Sequence, residues 1–169
     1  MAKKTLTYLF KAFLVAYVFM AGAAFAADND GDKAAPVRDH GMDITVYRDA
    51  SCGCCSRWIA HLKQHGFNVT DHVVHDMAAV KSRYQVPAHM SSCHTAVIDG
   101  YVIEGHVPAA DIKRLLRDKP YVAGLSVPGM PVGSPGMEMA GRRDPFAVYG
   151  FTRSGDYGVY RAYPNQDAE

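Results

Sequence analysis

The segment SCGCCSRW, residues 51–58, holds Cys52, Cys54 and Cys55, and the fourth cysteine, Cys93, follows in SSCHTAV. Two chemistries fit these residues. Cys52 and Cys55 have the C-x-x-C spacing of a dithiol that cycles with a disulfide, in which Cys52 attacks a mixed disulfide and Cys55 resolves it. Cys54 is surplus to that cycle. Several thiolates held at one point repel one another, and a soft cation relieves the repulsion. Cu(I) is such a cation for Cys52, Cys54 and Cys55, with Cys93 as fourth sulfur if its loop packs over the cluster. Zinc and silver are the alternatives; zinc accepts four cysteines, but the paired C-x-x-C knuckles of its usual sites are absent. An iron–sulfur cluster needs about four thiolates as well. One structural role stays open, a bridge from Cys93 to the cluster, because adjacent Cys54 and Cys55 cannot readily pair without strain.

Nitrogen and thioether donors are also at hand. His94 adjoins Cys93 and is either a ligand, a donor beside one, or a loop histidine packed on the following strand. His61 and His65 stand four apart on the polar flank of a helical segment, a spacing that can chelate but that a solvated face explains better. His72, His75, His89 and His106 carry no functional expectation. Met130, Met137 and Met139 lie in GLSVPGMPVGSPGMEM, and thioethers bind Cu(I) well, with Met130 the first candidate; methionine also fills irregular gaps. Trp58 reads as core, or as a lid on the thiols.

The elements that must position these residues follow from periodicity. Ile44 and Val46 alternate in a strand, Ser51 to Cys55 turn, and Cys55, Trp58, Ile59 and Leu62 recur on one helical face, with Gly66 as its cap. The thiols thus sit at a helix N-terminus, where the dipole favours thiolate, and Gly53 removes a side chain from over the site. Phe67 to Val74 predicts a second strand, Asp76 caps a helix through Val80 and Tyr84, and Pro87 ends it. Asp99-Gly100 between two apolar runs is a hairpin signal, and Pro108 opens a helix that turns Ile112, Leu115 and Leu116 inward. Strand, helix, strand, helix, hairpin, helix is the order of an α/β, thioredoxin-like domain with a mixed central sheet. Residues 42–140 make that domain, including a Met-rich loop over 124–139. Residues 141–169 form a C-terminal hairpin about Ser154-Gly155, which either extends the sheet or mediates association.

Lys3 and Lys4 ahead of the apolar run Ala12–Phe25, ending in Ala24-Phe25-Ala26, predict a signal peptide over 1–26, cleaved near Ala26, and a polar leader over 27–41. An uncleaved anchor from Tyr8 to Phe25 is the other reading of that run. Exported through the general route, the protein is expected in the periplasm, touching membrane only through the signal segment. Lysine and arginine number 18 against 17 acidic residues, and no basic stripe stands out, which argues against nucleic acid as a partner.

YRDASCGCCSRW, SCHTAVIDGYVIEGHVP and GLSVPGMPVGSPGMEM, in that order, resemble the CopG-like family of periplasmic metal-binding proteins associated with copper resistance, formerly a domain of unknown function. The resemblance spans roughly Asp43 to Met139. It implies a thioredoxin-like fold and copper bound by Cys52, Cys54, Cys55 and Cys93. The tail after Gly141 lies beyond it. Two functions follow. One is a periplasmic protein that holds Cu(I) for storage, change of oxidation state, or delivery to a copper chaperone or exporter. The other is a thiol-disulfide oxidoreductase acting through Cys52 and Cys55.

Overall fold

Alternation of apolar residues builds the first strand: β1 (Met42–Arg48) turns Ile44 and Val46 into the core and leaves its other face half-covered. The computed structural model describes residues 42–164, so the expected signal segment, 1–26, and leader, 27–41, lie outside the described residues. After a turn that begins with Asp49 accepting from Ser51, α1 (Gly53–Gln64) carries Cys55, Trp58, Ile59 and Leu62 on its buried face. β2 (Phe67–Val73) returns parallel to β1. Asp76 accepts a hydrogen bond from the Ala79 amide and so caps α2 (Met77–Arg83). A single 3-10 turn at Ala88–Met90 leads to β3 (His94–Ile98).

Asp99 (φ 47°) and Gly100 (φ 82°) both take left-handed backbone, the geometry of a two-residue hairpin turn into β4 (Tyr101–Gly105). Helix α3 (Ala109–Asp118) buries Ile112 and Leu115 and exposes Lys113, Arg114 and Arg117. The chain then enters β5 (Gly124–Val127), parallel to β4, and closes with the hairpin β6 (Phe146–Phe151) and β7 (Tyr157–Tyr163).

The result is an α/β fold on one mixed seven-stranded sheet, ordered β2-β1-β3-β4-β5-β6-β7. The helices α1 and α3 contribute to one core with Ile44, Val46, Ile103, Leu125 and Val148; Met90, Val102 and Phe151 form a smaller cluster with Tyr84 and Tyr149. No helix among the described residues is long and apolar enough to cross a membrane.

One expectation changes, and one open alternative is decided. The stretch 124–139 is not loop throughout, because its first four residues are a fully buried strand. A Cβ at Gly124 would collide with the Val102 carbonyl, so the glycine that reads as a loop signal instead lets β5 approach β4. The tail after Gly141 extends the sheet, since β6 pairs antiparallel with β5.

Candidate metal centre

The parallel β1–α1–β2 unit puts the N-terminus of α1 at the end of β1, beside the start of β3, whose His94 pairs with Arg48. Cys52, Cys54 and Cys55 therefore meet Cys93, which immediately precedes β3. Their four sulfurs lie within 4.8 Å of one another. Cys52 and Cys55 are joined as a disulfide, with Cα atoms 5.4 Å apart, and Cys54 and Cys93 are free thiols. Cys54 Sγ lies 3.5 Å from Cys52 Sγ and 4.0 Å from Cys93 Sγ. Cys55 is buried, whereas Cys52, Cys54 and Cys93 reach partway to solvent.

A second donor group shares Cys93. His94 Nδ1 and His106 Nε2 each lie 3.2 Å from its sulfur. His106 follows the β4 terminus, and its Nδ1 donates to the Pro135 carbonyl at 2.8 Å. That bond fixes the proton on Nδ1 and leaves the Nε2 lone pair facing Cys93. His94 is fully buried under the Trp58 ring, centroids 4.3 Å apart, and its Nε2 has no hydrogen-bond partner among the described residues. Burial, then the neighbouring His106, holds the His94 pKa well below the ordinary histidine value, and burial lowers His106 as well. Burial, with Cys54 second, pushes the Cys93 thiol up to about 12.

Buried polar groups hold the Cys93 loop. Glu104, fully buried on β4, accepts from the Ser92 amide at 2.7 Å, from Thr95 Oγ1 at 2.7 Å and from Lys81 Nζ of α2. Ser92 Oγ donates to the Gly129 carbonyl at 2.5 Å, which ties the loop after β5 beside Cys93. Gly136 packs that loop onto α1: a Cβ there would stand 2.7 Å from the Trp58 nitrogen and 2.8 Å from the Cys54 carbonyl, and Arg57 Nε donates to the Gly136 carbonyl at 2.8 Å.

Of the residues singled out from sequence, Cys52, Cys54, Cys55, Cys93 and His94 converge. Met130 is 54% exposed in the loop that Ser92 tethers, Met139 is also exposed and Met137 is half-buried. Trp58 is core, with its Nε1 donating to the Val107 carbonyl at 2.9 Å. A Cβ at Gly53 would meet no atom within 4 Å, so the expectation that glycine keeps a side chain off the site has no support from packing. His61 is a structural acceptor, taking the Ala109 amide at 3.1 Å on its Nε2. His106 was missed. Its only sequence signal is its place just past an apolar strand, and a lone histidine there has no partner until the sheet brings Cys93 across from β3.

The two donor groups, four sulfurs and, sharing Cys93, two imidazole nitrogens, suit a soft metal such as copper once the disulfide is reduced. The family described as protein of unknown function DUF411 matches residues 90–137. No curated protein matches. Two solved structures, forms 1 and 2 of a copper resistance protein CopG, are each 59% identical to this chain with a TM-score of 0.70. They match 74% and 73% of this chain and 99% of their own.

Proposed function

The chain belongs to the copper resistance protein CopG family, and from that premise we propose that it is a periplasmic protein that holds Cu(I) at Cys52, Cys54, Cys55 and Cys93. Convergence of Cys93 with the cluster, all four sulfurs within 4.8 Å, carries this reading. His94, and His106 beside it, are further nitrogen donors, and the exposed thioether of Met130 is an outer one. Signal-peptide cleavage near Ala26 would deliver the protein to the periplasm, where a copper chaperone or an exporter would take the metal. The strand order β2-β1-β3-β4, with β3 antiparallel to both neighbours, supports a thioredoxin-like core over residues 42–140. Zinc and silver are the competing cargoes.

In this reading Cu(I) is cargo, and the protein supplies thiolates at a helix N-terminus, neutral imidazoles, and burial that slows exchange with water. Anaerobic titration of reduced protein tests it. Cys93→Ser is expected to weaken Cu(I) binding at least tenfold in competition with a chromophoric chelator; affinity and stoichiometry equal to the parent would remove Cys93 from the site. The Cys52–Cys55 disulfide favours a second reading, a thiol-disulfide oxidoreductase. Rapid copper-independent disulfide reduction, abolished by Cys52→Ser and untouched by Cys54→Ser, would favour it over the first.

A further inference from the structure

With Cys52 and Cys55 already bonded, the two remaining thiols are left facing each other. Cys54 and Cys93 stand 39 positions apart in sequence, on different elements, yet their Sγ atoms are 4.0 Å apart. Bonded sulfurs sit about 2.05 Å apart. Cysteine has a single χ1 with three staggered wells, and rotation about it moves Sγ by more than the roughly 2 Å that separates contact from bond. Both residues lie partway to solvent, so an oxidant can reach them. The first turn of α1 carries Cys54, while the Cys93 loop is fixed by Glu104 and Gly129 through Ser92, so the two approach from elements held independently.

We infer that Cys54 and Cys93 are a second redox pair, which closes into a disulfide while Cys52–Cys55 stays closed, so that the chain exchanges four electrons and not two. The oxidant is a small-molecule disulfide, RSSR. The Cys54 sulfur attacks one sulfur of RSSR; the RS–SR bond breaks, the Cys54–SR bond forms, and one RSH leaves carrying the proton that Cys54 gives up. Cys93 then attacks Cys54 Sγ, the Cys54–Cys93 bond forms, and a second RSH leaves with the Cys93 proton. Two protein thiols become one disulfide, and one RSSR becomes two RSH. The second step is intramolecular, between sulfurs already 4.0 Å apart on independently held elements, so proximity drives it. Closing both pairs removes all four sulfurs from metal duty. That consequence rests on the proposed copper site, whereas the second disulfide does not.

Full-length mature protein, reduced and metal-free, is titrated anaerobically with oxidised glutathione and then trapped with an alkylating reagent. Trypsin leaves Cys52, Cys54 and Cys55 on one peptide, residues 49–57, and Cys93 on another. The expected course is four free thiols, then two, then none, with no glutathione retained and the two peptides covalently joined. Cys93→Ser is expected to end with glutathione on Cys54, and Cys54→Ser with peptides that are not joined. Separate glutathione adducts on Cys54 and Cys93, a shuffled Cys52–Cys54 bridge, or joined peptides in Cys54→Ser would overturn the inference. Cu(I) titration of the same reduced protein is a separate reading: if it binds no copper, the metal proposal falls while the peptide map still decides the second pair.

Discussion

At the residue scale, His106 separates a ligand environment from a set of nearby thiols. Its Nδ1 is committed to the Pro135 carbonyl, so its Nε2 can only accept, and it faces Cys93 at 3.2 Å. Oriented donors of this kind change metal affinity by about 10–100-fold when removed. His106→Ala is therefore expected to lower metal affinity by about that factor, alongside a loss of roughly 1–3 kcal/mol in the metal-free protein from emptying a buried, hydrogen-bonded position. Chelator competition alongside a urea melt checks both; an unchanged affinity would leave His106 a packing residue. Cys93 was expected as the fourth sulfur on the condition that its loop pack over the cluster, as the family resemblance also implied; nothing within SSCHTAV itself fixes that packing.

At the element scale, two contacts fix how α1 is seated. His61 Nε2 accepts the first amide of α3, a bond that only the neutral ring can make. Burial, followed by His65, holds the His61 pKa below its ordinary value, while Glu138 acts the other way. An unfolded histidine protonates near pH 6.5. Below that pH the unfolded chain binds the extra proton and the folded chain resists it, so stability falls as pH falls. The expected result is a thermal midpoint that declines from pH 7 toward pH 5, with a shallower decline in His61→Gln, whose amide oxygen accepts at any pH in that range. A parallel decline in both proteins would remove His61 as a cause. Gly136 is the second contact, at φ 84° with its Cα against the backbone of α1. Gly136→Ala is expected to cost about 1–3 kcal/mol in urea unfolding, from strain and from the loop being pushed off the helix. The same variant should weaken metal binding, because Pro135 orients His106; loss of stability with unchanged affinity would uncouple the loop from the site.

At the scale of the whole molecule, the C-terminal hairpin belongs to the sheet. It covers the edge of β5, buries Val148 and Phe151, and sends the Tyr163 hydroxyl to the buried Asp111 of α3 at 2.6 Å. Fully buried side chains of this size contribute about 1.5–3 kcal/mol each. A chain ended at Gly141 would lose both, leave Asp111 without its tyrosine partner and open β5 to other strands. Such a variant is expected to lose cooperative unfolding or to aggregate, as read by circular dichroism and size-exclusion chromatography; a stable monomer with the parent's urea midpoint would show the hairpin to be an accessory.

Local pattern made most of the frame legible. The period of Cys55, Trp58, Ile59 and Leu62, the Asp76 cap, the Asp99-Gly100 turn and the amphipathic α3 are each decided by residues within a few positions of one another, and the elements formed where those signals stand. β5 escaped because four residues bounded by glycine and proline carry no period, and only the neighbouring β4 backbone makes strand of them. The thiols could be recognised as a chemistry by type and spacing, since C-x-x-C and a surplus cysteine are local facts. That Cys93 meets Cys54, that His106 meets Cys93, and that Gly136 rests on α1 are contacts between elements distant in sequence. They depend on strand order and register, which the whole sheet fixes together and which no segment of the chain encodes alone.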